Sequence, residues 1–145
     1  MAFLDSLNIS GSALTAGRLR MDLISENLAN ASATRTEQGG PYRRKMAVYE
    51  SAGGADFQRL LRESIDASES AGKGVRVAEI VEDPSDFTPV YDPTHPDANE
   101  EGYVLMPNVD PIKETIDMMA AARAYEANLT AFGAVMALKA LEMGR

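Results

Sequence analysis

The chain has no cysteine, no tryptophan and a single histidine among its 145 residues. Without cysteine there is no disulfide framework and no thiolate nucleophile. One histidine, with no cysteine beside it, leaves no nitrogen and sulfur set for zinc or a similar transition metal. Positive charge is also scarce. Lys and Arg number 14 against 22 Asp and Glu, for a net charge of −8. Neutralising phosphates takes a basic surface, so this balance argues against a nucleic-acid binder and equally against a protein that adheres to anionic membranes. No apolar run approaches the roughly 18 residues of a membrane-spanning helix. The opening "MAFLDSLNISGSALTAGRLR" lacks a basic stretch followed by an apolar one, so no cleaved secretory signal is expected. If the chain leaves the cytoplasm, another route is implied.

What is present is a moderately apolar chain, 45% hydrophobic, which sets it apart from disordered acidic sequences. Its length suits one domain, or one core with a small satellite.

The N-terminal segment carries Leu7, Leu14, Met21 and Leu28 at intervals of seven, with Ser10, Gly17, Ile24 and Ala31 three residues further on. This is a narrow apolar seam flanked by small residues, the pattern of a helix packed closely on a partner helix. Asp5 or Ser6 is the expected N-cap. Gly11 and Gly17 each weaken the helix by about 1 kcal/mol relative to alanine, so it is not expected to hold alone. Asn27 and Asn30 sit where the seam ends, with no Gly or Pro to mark the stop.

The C-terminal segment opens "PNVDPIKE", in which Asp110 suits an N-cap and Pro111 the first helical position. No proline follows before the end, so one helix on the order of 50 Å long is predicted. One stripe reads Met118, Ala122, Tyr125, Leu129, Phe132, Met136 and Met143; a second reads Ile112, Ile116, Met119, Val135, Leu138 and Leu141. Together they make a face wider than one partner helix covers.

Between the helices the pattern changes. "YRRKMAVYE" and "GVRVAEIVE" read as strands, and "DFTPVYD" and "GYVLMP" as shorter ones, with Pro89 confining its strand to an edge. "ADFQRLLRESIDASES" has apolar residues at helical spacing. The predicted fold class is α+β: long N- and C-terminal helices packed as a coiled-coil-like core (residues 1–36 and 107–145, discontinuous), with a small β-rich insert at 37–106.

Candidate chemistry is thin. His95, between Pro93 and Pro96, reads as a turn residue rather than a metal ligand beside Asp92 and Asp97. "DANEEG" starts like a calcium loop, but the twelfth position is Asn108 where a bidentate Glu is needed. "AGKG" lacks the residues of a phosphate loop. The run Arg43, Arg44, Lys45 either meets an acidic neighbour or, the more common case, is a solvated strand edge. No catalytic residue, metal or cofactor is expected. The dominant feature is apolar area that the two helices cannot cover for each other, which points to an assembly subunit. The alternatives are a self-contained helical hairpin with a β cap, and a monomeric secreted adaptor or chaperone-like module that uses its apolar face for one client.

"GSALTAGRLRMDLISENLANASATRT" resembles the N-terminal signature of the bacterial flagellar axial proteins, the rod, hook and hook-associated subunits. Asn27, Leu28, Ala29 and Asn30 match its Asn-rich segment and Thr34 its threonine, whereas the Gly-Tyr that usually follows is displaced to "GGPYRR". "VRVAEIVEDPSDFTPVYDPTHPDANEEGYVLMPNVD" and "MMAAARAYEANLTAFGAVMALKALEMGR" are similar to the proximal rod members of that family, and the likeness spans the chain apart from about residues 51–73. The resemblance implies a structural subunit of the periplasm-spanning basal-body rod that transmits torque. It implies export through the flagellar export apparatus without a cleaved signal. It also implies contacts with copies of itself, with proximal and distal rod subunits and with the export-gate-side adaptor. The expected assembly interface is Leu7, Leu14, Met21, Ile24, Asn27, Leu28 and Asn30 on the first helix, and Met118, Tyr125, Leu129, Phe132, Met136 and Leu138 on the last. Asn27 and Asn30 either fix register on a buried inter-subunit surface or face solvent at a helix end.

Overall fold

A computed structural model describes residues 2–52 and 74–144. Helix α1 (Ala2–Ala29) is followed by strands β1 (Lys45–Ser51), β2 (Val75–Glu82), β3 (Thr88–Tyr91) and β4 (Tyr103–Met106), then by helix α2 (Pro111–Met143). The order is α+β, two long helices flanking a β-rich region. The helix expected within "ADFQRLLRESIDASES" lies outside the described residues.

α1 begins earlier than expected. Asp5 and Ser6 lie inside the helix rather than capping it. Nothing ahead of them breaks a helix, and Asp5 in the first turn complements the positive end of the helix dipole. The end of α1 needs no Gly or Pro. The Asn30 amide Nδ2 donates to Glu26 O at 2.9 Å, the same carbonyl that accepts the Asn30 backbone N–H at 3.1 Å. A side chain that competes for helix carbonyls loosens the last turn. The chain then unwinds through bonds three residues apart, Ala31 to Leu28 and Ala33 to Asn30. Gly39 and Gly40, with φ of 84° and 79°, reverse it. Thr36 bonds Gly40 O through both its N–H and its hydroxyl, and Tyr42 N–H reaches Ala33 O. This loop delivers the chain to β1.

α2 starts as expected. Asp110 Oδ1 accepts Ile112 N–H at 3.0 Å and Lys113 N–H at 3.4 Å, and Pro111 occupies the first helical position.

β1 pairs with β2, and β3 pairs antiparallel with β4 in a separate two-stranded sheet. The second register sets Thr88 opposite Met106, Pro89 opposite Leu105, Val90 opposite Val104 and Tyr91 opposite Tyr103. The Tyr91 and Tyr103 rings meet edge to face, with centroids 5.3 Å apart. Gly102 closes the hairpin loop at φ 82°, where a Cβ would press on Tyr91 and Pro93.

The chain clusters into two compact units. The first comprises Leu19–Ala47 and Ile80–Ala121. Its buried apolar residues are Leu23, Ile24, Tyr42, Val104, Val109 and Ala121. The second comprises Met1–Arg18, Val48–Glu79 and Ala122–Arg145. Among its described residues Ala16 is the buried apolar side chain. There Ser12 Oγ donates to Ile9 O at 2.7 Å and accepts Val75 N–H at 3.0 Å, tying the start of β2 to α1. Gly74, at φ 97°, allows that approach, because a Cβ there would collide with Ser12 Oγ.

Candidate functional site

Asn27, in the last turns of α1, is 1% exposed. Its amide is saturated. Nδ2 donates to Lys45 O at 3.0 Å and to Glu114 Oε2 at 3.1 Å. Oδ1 accepts the Tyr42 hydroxyl at 2.9 Å and Lys45 N–H at 2.9 Å. One side chain thus meets both backbone groups of the first residue of β1, as a neighbouring strand would.

Glu114, in the first turn of α2, is likewise 1% exposed. One carboxylate oxygen takes the Asn27 bond, and the other accepts Arg44 Nε at 2.6 Å. The Arg44 guanidinium also lies 3.6 Å from Asp83 and 3.8 Å from Asp117. A buried carboxylate is tolerable only with such a partner and with its lone pairs filled. Among the described residues no buried side-chain nitrogen or oxygen lacks a hydrogen bond.

An outer ring holds these groups in place. Asn108 Oδ1 accepts Arg44 N–H at 2.8 Å, and its Nδ2 donates to Asp83 O at 3.1 Å and to Ser85 Oγ at 3.0 Å. Arg43 donates to Asp83 O and Ser85 O, with its guanidinium 4.4 Å from the Phe87 ring centroid. Lys45 Nζ pairs with Glu26 at 2.6 Å and lies 5.8 Å from the Tyr42 ring centroid. The Arg43–Lys45 run is therefore not a solvated edge. Each cation finds an acceptor within the fold, and the part-buried Arg44 finds the most deeply buried one.

The electrostatics follow from these neighbours. Burial pushes the Tyr42 hydroxyl up to about 12, and the carboxylates of Glu26, Glu114 and Glu82 push the same way. It remains a proton donor toward Asn27. The Ser85 backbone N–H and hydroxyl, followed by Arg44 and Arg43, hold Asp83 below its usual value.

A second tether involves the β3–β4 loop. Asp97 accepts the Thr34 hydroxyl at 2.8 Å and pairs with Arg35. The Thr34 bond, then Arg35, lowers its pKa. His95 Nδ1 accepts Asp97 N–H at 3.1 Å, a turn role. Asp92 and Asn99 cap backbone N–H groups inside the same loop.

These arrangements fasten segments of the chain to one another. A cleft of about 730 Å³ is lined in part by Glu26, Arg35, Tyr42, Arg43, Glu82 and Phe87, but its cations are already committed to acceptors. Among the described residues no group of three or more His, Asp or Glu is placed to hold a metal. None of their helices is long and apolar enough to cross a membrane.

Of the residues singled out from the sequence, Ile24 and Asn27 are buried within the chain, Leu7, Leu14, Met21 and Leu28 are half-buried on α1, and Asn30 is half-buried just past its end. On α2, Met118, Tyr125 and Phe132 are half-buried, and Leu129, Met136 and Leu138 are exposed. Gly17 faces Tyr125: a Cβ there would sit 3.6 Å from the ring, so the small residue of the seam meets the α2 stripe. The sequence reading missed Tyr42, Asn108 and Glu114. Their role rests on long-range hydrogen bonds, which leave no periodic mark.

The family described as "Flagella basal body rod protein" matches residues 7–35, and "Flagellar basal body rod FlgEFG protein C-terminal" matches residues 100–135. The matched segments contain Asn27 and Glu114 respectively. The flagellar basal-body rod protein FlgC of Bacillus subtilis is 52% identical over the full length of both chains. That of Borreliella burgdorferi is 42% identical over 90% of this chain and 88% of its own, and that of Escherichia coli O6:H1 is 37% identical over both full lengths. At this likeness over its whole length, the chain belongs to the FlgC family of flagellar basal-body rod proteins, which are structural subunits of the rod.

Proposed function

We propose that the chain builds the rod by packing the apolar faces of α1 and α2 against copies of itself and against other proximal rod subunits, the distal rod subunit and the export-gate-side adaptor. The observation that carries this reading is the apolar surface left open on α2. Ile112, Ile116, Met119, Leu129, Met136, Leu138, Leu141 and Met143 are 49–75% exposed. Large apolar residues in such number along one helix are the mark of a surface that a partner covers. Leu129, Met136 and Leu138 make contact directly, with Met118, Tyr125, Phe132, Leu7, Leu14, Met21 and Leu28 along the adjoining stripes. Ile24, Asn27 and Asn30 act indirectly, by setting where α1 stops.

In this reading the helices of residues 1–36 and 107–145 form the shared core of the tube, with residues 37–106 outside it. Torque passes through close-packed helices of adjacent subunits, whose low compressibility supplies stiffness. No catalysis is involved, since the polar groups that are buried are saturated by one another. The subunit reaches the periplasm-spanning rod through the flagellar export apparatus, without a cleaved signal.

Sedimentation velocity of the purified chain, alone and mixed with a second rod subunit, tests the reading. Wild type should shift to larger species in the mixture, and Met136→Asp with Leu138→Asp should abolish the shift. A wild-type chain that stays monomeric in every mixture contradicts it.

A further inference from the structure

We propose that Met119, Met136 and Met143 are sites of reversible oxidation by peroxide, and that the sulfoxides they form hold a free subunit out of the rod. The inference rests on the reading that the apolar face of α2 packs against neighbouring subunits, and it adds a chemical control to that face.

Three observations carry it. The first is the sulfur inventory. With no cysteine and eight methionines, every sulfur in the chain is a thioether. No thiol is present to take an oxidant first, and none can be lost to a disulfide. Oxidation at sulfur in this chain is methionine oxidation.

The second is placement. Met119, Met136 and Met143 are 53%, 49% and 75% exposed, and all three lie on α2. Met21, Met46, Met106 and Met118 are half-buried. The exposed sulfurs belong to the two apolar stripes. Met119 follows Ile112 by seven and Ile116 by three, and Met136 follows Leu129 by seven and precedes Met143 by seven. Residues at these spacings share a helix face. A flexible thioether suits a face that meets several different neighbours, and the same exposure leaves it open to oxidant before assembly.

The third is what one oxygen does to such a face. The sulfur lone pair attacks peroxide, the O–O bond breaks, an S–O bond forms and water leaves. The sulfur loses two electrons and the peroxide gains them. The product is a polar sulfoxide that accepts hydrogen bonds. On the free chain water solvates it. Packed between helices it loses that water, and its stripe neighbours Ile112, Ile116 and Leu129 carry no side-chain donor. A buried polar group without a partner opposes association. Assembly in turn covers the sulfurs, so the oxidant acts on subunits not yet in place. Methionine sulfoxide reductases reverse the change: two thiols of the reductant become a disulfide and the oxygen leaves as water.

The full-length chain is treated with hydrogen peroxide, each site is followed by peptide mass spectrometry, and sedimentation velocity is run with a second rod subunit. Met143, Met119 and Met136 should oxidise before the four half-buried methionines. Association should then fall at least about ten-fold, with circular dichroism of the chain unchanged. Reductases acting on both sulfoxide epimers should restore it. Met119→Leu, Met136→Leu and Met143→Leu together should make association insensitive to peroxide, whatever its starting strength. Met46→Leu with Met106→Leu, in the strands, should keep the full sensitivity. Undiminished association of a chain oxidised at all three sites overturns the proposal. So does a loss that the reductases do not repair, a loss that tracks unfolding, or a triple leucine variant as sensitive as wild type. An untreated chain that never associates removes the assembly reading, and the proposal falls with it.

Discussion

Asn27 binds both the N–H and the C=O of Lys45, at 2.9 and 3.0 Å. A helix side chain thus takes the place of a β-strand neighbour at the point where β1 begins. The same amide reaches Glu114 of α2. The end of one terminal helix, the start of the sheet and the start of the other terminal helix meet at one residue.

Asn27→Ala should lower unfolding stability by about 2–4 kcal/mol, because it leaves buried donors and acceptors without partners. Asn27→Asp should be worse despite its matching shape, since it sets a carboxylate against Glu114 Oε2 and removes the donor toward Lys45 O. Urea unfolding followed by circular dichroism orders the three chains. An Asp variant as stable as wild type would mean the network does not form.

The Arg44–Glu114 pair should show strong coupling. Glu114→Met or Arg44→Met alone should cost about 3–5 kcal/mol, because each strands a partner in a buried site. The double change Arg44→Met, Glu114→Met should cost less than the sum, as a double-mutant cycle would reveal. Additive losses would show that the two side chains act separately.

Two glycines should respond oppositely to alanine. Gly74→Ala forces a side chain into φ 97° and into Ser12 Oγ, so destabilisation by about 1–3 kcal/mol is expected. Gly133, within α2, has nothing within 4 Å of where a Cβ would stand. Gly133→Ala should stabilise by up to about 1 kcal/mol. Thermal melts of the two variants should move in opposite directions.

Stability should fall at both ends of the pH scale. The folded pKa of Asp97 is depressed below 3.8 by the Thr34 hydroxyl and Arg35. Its contribution is full above 3.8 and is lost as pH falls through the folded value. Asp97→Asn should blunt that acid loss, which Asp83 and Asp92, also lowered, share. Tyr42 is raised from 10.0 to about 12, so its contribution is present below 10.0 and disappears as pH climbs through 12. Tyr42→Phe should remove that alkaline step in a pH series of urea midpoints.

Much of the scaffold was legible in the residues. Asp110 and Pro111 placed the start of α2, and each of the four strands overlaps a stretch marked by β-branched and aromatic residues, β1 running one residue past its own. The start of α1 was misplaced, because a capping residue such as Asp5 ends a helix only where something upstream prevents it from continuing. Asn27 stood out as an amide in an apolar seam, yet its partners did not. Tyr42, Lys45 and Glu114 lie 15, 18 and 87 positions away, and no spacing rule connects them. The Arg43–Lys45 run reads as a solvated edge for the same reason: its acceptors, Glu26, Asp83, Ser85 and Glu114, come from segments distant in sequence.

The absence of cysteine makes the central claim directly measurable. Met136→Cys places a single thiol on the exposed face of α2. Its rate of maleimide labelling can be compared in the free chain and in isolated flagellar basal bodies from motile cells. If α2 packs against neighbouring subunits, the thiol should label quickly when free and be shielded in the rod. Equal labelling in both states would contradict assembly through this face.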